Sequence, residues 1–222
     1  MILIALLIAL FLLVLMPLLF VDVMTASLVK LRLDSHTTLL LVISMMAGGL
    51  INIPVKRIVR ENLVFDHPLA AFGLMDLWPA LRRIRRETII AVNVGGCIIP
   101  TCLAGYEVLQ LFVAGTSAML AVILAVAVNI VVCYFVAKPE PNVGIVMPAL
   151  IPAGVAAASA YMLLPQLAPP VAFVAGVMGP IIGADLLHLK EFTKSTTGVA
   201  SIGGAGTFDG IILSGILAAY LA

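Results

Sequence analysis

An all-α, polytopic transmembrane bundle of about seven helices in one domain, residues 1–222, is the fold class that this sequence predicts, on three observations. Hydrophobic residues make up 63% of the chain and charged residues only 10%. A water-soluble domain is nearer half apolar, so lipid must be the solvent for most of this chain. Apolar runs recur at about 2–25, 37–55, 88–106, 113–137, 143–164, 169–189 and 202–222, each near the ~20 residues that cross a bilayer core. Between the second and third runs lie seven of the 12 lysines and arginines: Lys56, Arg57, Arg60, Arg82, Arg83, Arg85 and Arg86.

The first run lacks a basic leader and continues through Met24 without a cleavage site, so it reads as a retained helix rather than a signal peptide. The second ends in Gly48-Gly49 and Asn52, and the third carries Asn93 followed by Gly95-Gly96, a mirrored pair of elements. Small residues at equal height let two backbones approach closely, and the two asparagines can then hydrogen-bond across the contact. Cys97, Cys102 and Cys133 fall inside predicted spans without metal-ligand or redox spacing, so they read as packing residues. No metal and no cofactor is expected. The fifth run contains Pro148 and Pro152 near its start, which should break or kink the helix and free backbone carbonyls. The sixth and seventh are glycine-rich around Asp185 and Asp209.

Basic loops stay in the cytoplasm, which places residues 56–87 inside, together with Lys138, Lys190 and Lys194, and leaves only Lys30 and Arg32 outside. The N-terminus is therefore expected in the cytoplasm and the C-terminus outside, in a multi-pass protein of the cell inner (plasma) membrane. Within the interfacial loop 56–87, the stretch Leu69 to Trp78, bounded by Pro68 and Pro79, predicts a short amphipathic helix at headgroup level, with the arginines beyond it against anionic lipid. Topology and docking explain this loop more simply than a lid does. A net charge of +1 without aromatic interleaving among the basic residues excludes nucleic acid as a partner.

Polar residues that lipid should exclude carry most of the functional information. Counted at 1.5 Å per residue from the basic boundary, Asn52, Asn93, Asp185 and Asp209 all fall roughly 6–12 Å deep, so four helices contribute to one layer. His188 lies three residues beyond Asp185, nearer the cytosol, and reads first as a satisfied interfacial residue and second as a ligand or proton relay. Two carboxylates that face one poorly solvated cavity share a proton, leaving one acid and one base, which is what activation of water against a peptide bond requires.

The paired aspartates, with Gly183 and Gly206 close before them and Pro148-Ala149-Leu150 elsewhere, resemble the presenilin, signal-peptide-peptidase and prepilin-peptidase group of intramembrane aspartyl proteases. That resemblance implies Asp185 and Asp209 as catalytic dyad, Gly183 and Gly206 as close-packing glycines, and Pro148, Ala149 and Leu150 as contacts to a transmembrane-helix substrate. The sequence departs from the pattern: Ala184 separates Gly183 from Asp185, Thr207-Phe208 separate Gly206 from Asp209, and the Pro-Ala-Leu triplet precedes the pair.

Over nearly its full length the chain is similar to a family of prokaryotic integral membrane proteins of unknown function. The elements that carry this likeness are Gly-Leu-Ile-Asn-Ile-Pro ending at Pro54, Val-Asn-Val-Gly-Gly at 92–96, Gly-Ala-Asp at 183–185 and Gly-Ala-Gly-Thr-Phe-Asp at 204–209. It implies a fold and no activity. An aspartyl-protease-like hydrolase is thus the first expectation. A small cation- or proton-coupled transporter or channel, working as a homodimer through the same acidic layer with Asn52, Asn93 and His188, is the second. A non-catalytic membrane scaffold is the third.

Overall fold

The computed structural model of the protein describes residues 2–65, 81–140, 144–189, 198–204 and 209–222. Helix α1 (Ile2–Lys30) ends in a turn where Arg32 takes left-handed backbone, φ 62°. Asp34 then starts α2 (Ser35–Gly48): its carboxylate accepts the backbone N–H groups of His36 and Thr37 and the Thr37 hydroxyl. These bonds, the Thr37 hydroxyl first, hold its carboxyl below the usual carboxylate range. The cap is therefore in place above the ordinary carboxylate pKa and is lost as pH falls through the depressed value. Asp34→Ala is expected to speed amide exchange at His36 and Thr37, whereas Asp34→Asn, which keeps a capping oxygen, is not; equal exchange in both variants would contradict this role.

The second expected span does not continue to residue 55. Helix α2 stops at Gly48, and β1 (Asn52–Phe65) pairs antiparallel with β2 (Leu81–Asn93), with Asn52 opposite Asn93. Much of the expected interfacial loop is therefore extended chain, and the expected amphipathic helix at 69–78 lies outside the described residues. Pro54 lacks the N–H that a continuing helix needs, and Ile53, Val55, Ile58 and Val59 of β1 and Thr88, Ile89, Ile90 and Val92 of β2 are β-branched residues suited to a pleated sheet, with Ile53 opposite Val92 and Ile58 opposite Thr88. The third span likewise begins only after Asn93, as a π-helical turn, Val94–Ile98, leading into α3 (Ile99–Ala114).

Gly115, at φ 116°, turns the chain into α4 (Thr116–Val136). A small hairpin, β3 (Lys138–Glu140) and β4 (Gly144–Val146), precedes α5 (Leu150–Leu163). The two prolines do not break this helix as expected: Pro148 precedes it and Pro152 sits in its first turn, where a missing N–H costs nothing. A 3₁₀ turn, Pro165–Leu167, leads into α6 (Ala168–Gly179), which runs on as a π-helical segment, Pro180–Leu186. The seventh expected span is also shorter, because Gly198–Ile202 forms β5, parallel to β2, and the helix α7 covers only Gly210–Leu221.

Seven α-helices among the described residues thus form the bundle, with a three-stranded sheet at one end. Val94–Ala114, Thr116–Val136 and Pro165–Leu186 are long and apolar enough to cross a membrane, which makes this a membrane protein; three more apolar helices are shorter. The axis of the bundle is α6, whose span is 72% enclosed against 28% for α4. Phe173, Val174 and Val177 of α6 meet Met24 and Leu28 of α1 and Ile212 and Ile216 of α7 in one core. Gly176 and Gly215 let α6 and α7 touch backbone to backbone: a Cβ on Gly176 would lie 2.8 Å from the Ser214 carbonyl oxygen.

Candidate functional site

Asn93 closes the sheet end of the bundle. Fully buried, it ends β2 in extended backbone and caps the π-helical turn: its Oδ1 accepts the Gly96 N–H at 2.7 Å. Its Nδ2 donates to the Gly49 carbonyl at 2.8 Å and to Asn52 Oδ1 at 3.1 Å, and the Ser201 hydroxyl donates to the same Asn52 oxygen at 2.6 Å. The hydrogen bond expected between Asn52 and Asn93 therefore forms, across a β-ladder rather than between helices. Ser201, the third member of this network, was not foreseen; residue 201 begins to matter only once β5 pairs with β2.

The mirrored glycines also meet as expected. A Cβ on Gly95 would lie 2.1 Å from the Met45 carbonyl oxygen and 2.3 Å from the Gly49 nitrogen, and one on Gly96 would lie 2.1 Å from the Gly203 carbonyl oxygen. Gly203 itself has φ 70°, backbone that favours glycine. Three chain segments, the end of α2, the π-helical turn and the stretch at Gly203, therefore converge in close backbone contact.

Beside this crossing stand the two aspartates. Asp185 lies in the π-helical segment that ends α6, and Asp209 is the N-cap of α7, its Oδ1 accepting the Ile211 N–H at 2.9 Å. The charges of the two carboxylates act on each other, and both act on Cys97; that of Asp185 also acts on Cys133. Asp185 and Asp209 thus lie within electrostatic range of each other and of Cys97, and Asp185 of Cys133, while the cap gives Asp209 a structural task. Among the described residues no cluster of His, Cys, Asp or Glu could hold a metal ion.

His188 is buried and committed: its Nδ1 faces the carbonyl oxygens of Gly183 at 3.2 Å and Ala184 at 3.0 Å, and its ring stacks on Tyr134 with centroids 4.8 Å apart. Carbonyls only accept, so Nδ1 must carry the proton, and the histidine serves as a cap for the carbonyls left by the π-helical segment. Gly183 packs closely, with Ile130 carbonyl oxygen only 2.3 Å from where a Cβ would stand. Gly206 lies outside the described residues. Pro148, Ala149 and Leu150 open α5, with Pro148 and Leu150 exposed, and Met147 just before them reaches to within 3.7 Å of where a Gly210 Cβ would be, next to Asp209.

Glu107 and Asn129 are also buried polar residues and were missed. Glu107 falls between two expected spans yet sits inside α3 on the buried stripe Leu103, Glu107, Leu111, a four-residue spacing that could have revealed it. Asn129 is the one amide in the most apolar of the three membrane-length helices, a signal in itself, and donates to the Ala175 carbonyl at 2.8 Å.

A family profile described as a protein of unknown function (DUF1614) matches residues 46–221. The chain belongs to this family. The match takes in every polar residue of the layer as well as Glu107 and Asn129, and leaves out α1 and most of α2. No curated protein and no solved structure matches the chain.

Proposed function

We propose that this protein moves protons or a small cation across a membrane, with Asp185 and Asp209 as the binding pair. The observation that carries this reading is where the pair stands: Asp185 lies in a π-helical segment and Asp209 caps α7, the helix against which both π-helical segments pack. Departures from regular helix at membrane depth are tolerated where they are buried in protein or line a water-filled cavity, and discontinuous helices with carboxylates at their ends are the usual materials of ion sites. Helices α2, α5 and α7 all have an end in this region, so lipid-spanning helix gives way there to irregular chain. The mutual charge of two carboxylates would be relieved by one proton or one cation between them.

The topology that goes with this reading is the one the basic residues predict: the sheet end and N-terminus in the cytoplasm and the C-terminus outside, in the plasma membrane, with all seven helices in the bilayer. Supporting it, the two external cations have partners that explain them: Lys30 donates to the Tyr220 carbonyl at the C-terminal end of α7 and lies over the Tyr220 ring, and the charge of Arg32 reaches Glu107.

Proteoliposomes test the proposal. Asp185→Asn and Asp209→Asn are each expected to reduce proton or alkali-cation flux to that of protein-free liposomes. Asparagine caps a helix about as well as aspartate, so Asp209→Asn removes the charge while keeping α7 in place. Flux that survives both substitutions would overturn the reading. The electrostatic influence of Asp209 on Asp185 also favours a second one, hydrolysis of a transmembrane-helix substrate by an aspartate dyad. Cleavage of a helical peptide that either substitution stops, without flux, would decide for it.

A further inference from the structure

Four buried side-chain atoms have no hydrogen-bond partner among the described residues: Thr38 Oγ1, Glu107 Oε1, Asn129 Oδ1 and Ser214 Oγ. They belong to α2, α3, α4 and α7, the side chains being between 0% and 3% exposed. Their heights are not random. Asn129 is four residues above Cys133, and Ser214 five above Asp209, which puts both roughly 6–8 Å from the aspartate layer. Glu107 is ten residues above Cys97, and Thr38 ten above Gly48, which puts both roughly 15 Å from it. The unpartnered atoms therefore form two tiers between the aspartates and the opposite end of the bundle.

Buried polar atoms left without protein partners in a native fold call for water, an ion or a proton. For Glu107 the demand is strongest, because an ionised carboxylate in hydrocarbon costs several kcal/mol unless it is paired or takes up a proton. Charge available to pair it is scarce. Of the elements packed on α3, helices α4, α6 and α7 contain no Asp, Glu, Lys, Arg or His, and bring as titratable groups only Cys133, Tyr134 and Tyr220. The head of α2 offers Asp34 and His36, both exposed, and the turn before it offers Arg32, the cation whose charge reaches Glu107.

We infer that Glu107 is a second proton-binding site, in the half of the bundle opposite the aspartates and reached from the Arg32 side. Loading forms an O–H bond on the Glu107 carboxylate as one breaks in hydronium or water on the Arg32 side. Unloading reverses this, so atoms and charge balance with water as the only co-reactant. The inference rests on the transport reading for its physiological use, while the proton on Glu107 and its contact with water are measurable without any flux.

Infrared spectroscopy of the reconstituted full chain tests it. Wild type is expected to show a carboxylic-acid C=O band that is lost in Glu107→Gln and shifts downward on transfer to D2O within the time of buffer exchange. A missing acid band, or one that D2O leaves in place, would overturn the inference. Should Glu107→Gln not fold, Glu107→Asp must move the band. If wild type carries no flux yet shows the exchanging band, transport falls and the buried proton site stands; flux that is normal in Glu107→Gln, with no such band, does the reverse.

Discussion

Asn93→Ala is expected to unfold the sheet end of the bundle, with the largest loss of stability of any single side-chain truncation in the protein. One side chain serves three backbone segments: it accepts from Gly96, donates to the Gly49 carbonyl and donates to Asn52. Its removal leaves the buried Gly96 N–H and the Gly49 carbonyl unpaired where no water replaces it. Each such orphan costs about 1–3 kcal/mol, so the two together cost roughly 2–6 kcal/mol, a large share of a typical folding free energy. Asn93→Asp keeps the acceptor for Gly96 but loses both donor bonds, and is expected to lie between wild type and Asn93→Ala. Thermal denaturation in detergent, followed by size-exclusion recovery, reads the order. A melting temperature unchanged by Asn93→Ala would show that the network is decorative.

Gly95→Ala is expected to match it for a different reason. The added methyl group would stand 2.1 Å from the Met45 carbonyl oxygen, 2.3 Å from the Gly49 nitrogen and 2.7 Å from the Gly48 carbonyl carbon. All three are backbone atoms at the end of α2, so no side chain can swing away and the helix itself must retreat. Overpacking costs about 1–3 kcal/mol where side chains can adjust and more where they cannot. Gly105→Ala is the internal control: it lies in α3 with nothing within 4 Å of a new Cβ. There the substitution is expected to be neutral or to stabilise by up to about 1 kcal/mol through helix propensity. If both variants melt alike, the close approach of α2 to the π-helical turn is not what holds these elements together.

The aspartate pair, the asparagine contact and the close glycines were legible before the fold because each rests on cost: polar groups and missing side chains are expensive in a bilayer, and such residues stand out against 63% hydrophobic sequence. Span boundaries were not legible, because hydropathy records apolar length and not backbone conformation. Residues 52–55 and 88–93 are as apolar as a helix requires, yet they form a ladder that only a partner strand can satisfy. Glu107 was hidden by the same error, assigned to a loop because the third span was placed six residues early.

The sequence by itself determined that this chain lives in lipid and that the polar residues inside it must find company. Tertiary structure alone decided what that company is. It bent α6 into a π-helical segment at Asp185, made Asp209 the cap of α7, turned His188 back onto its own carbonyls and put Asn93 between two strands. The physical reason is that composition fixes the solvent a residue prefers, whereas partners for hydrogen bonds and charges come from distant segments, and only the folded chain brings those within reach.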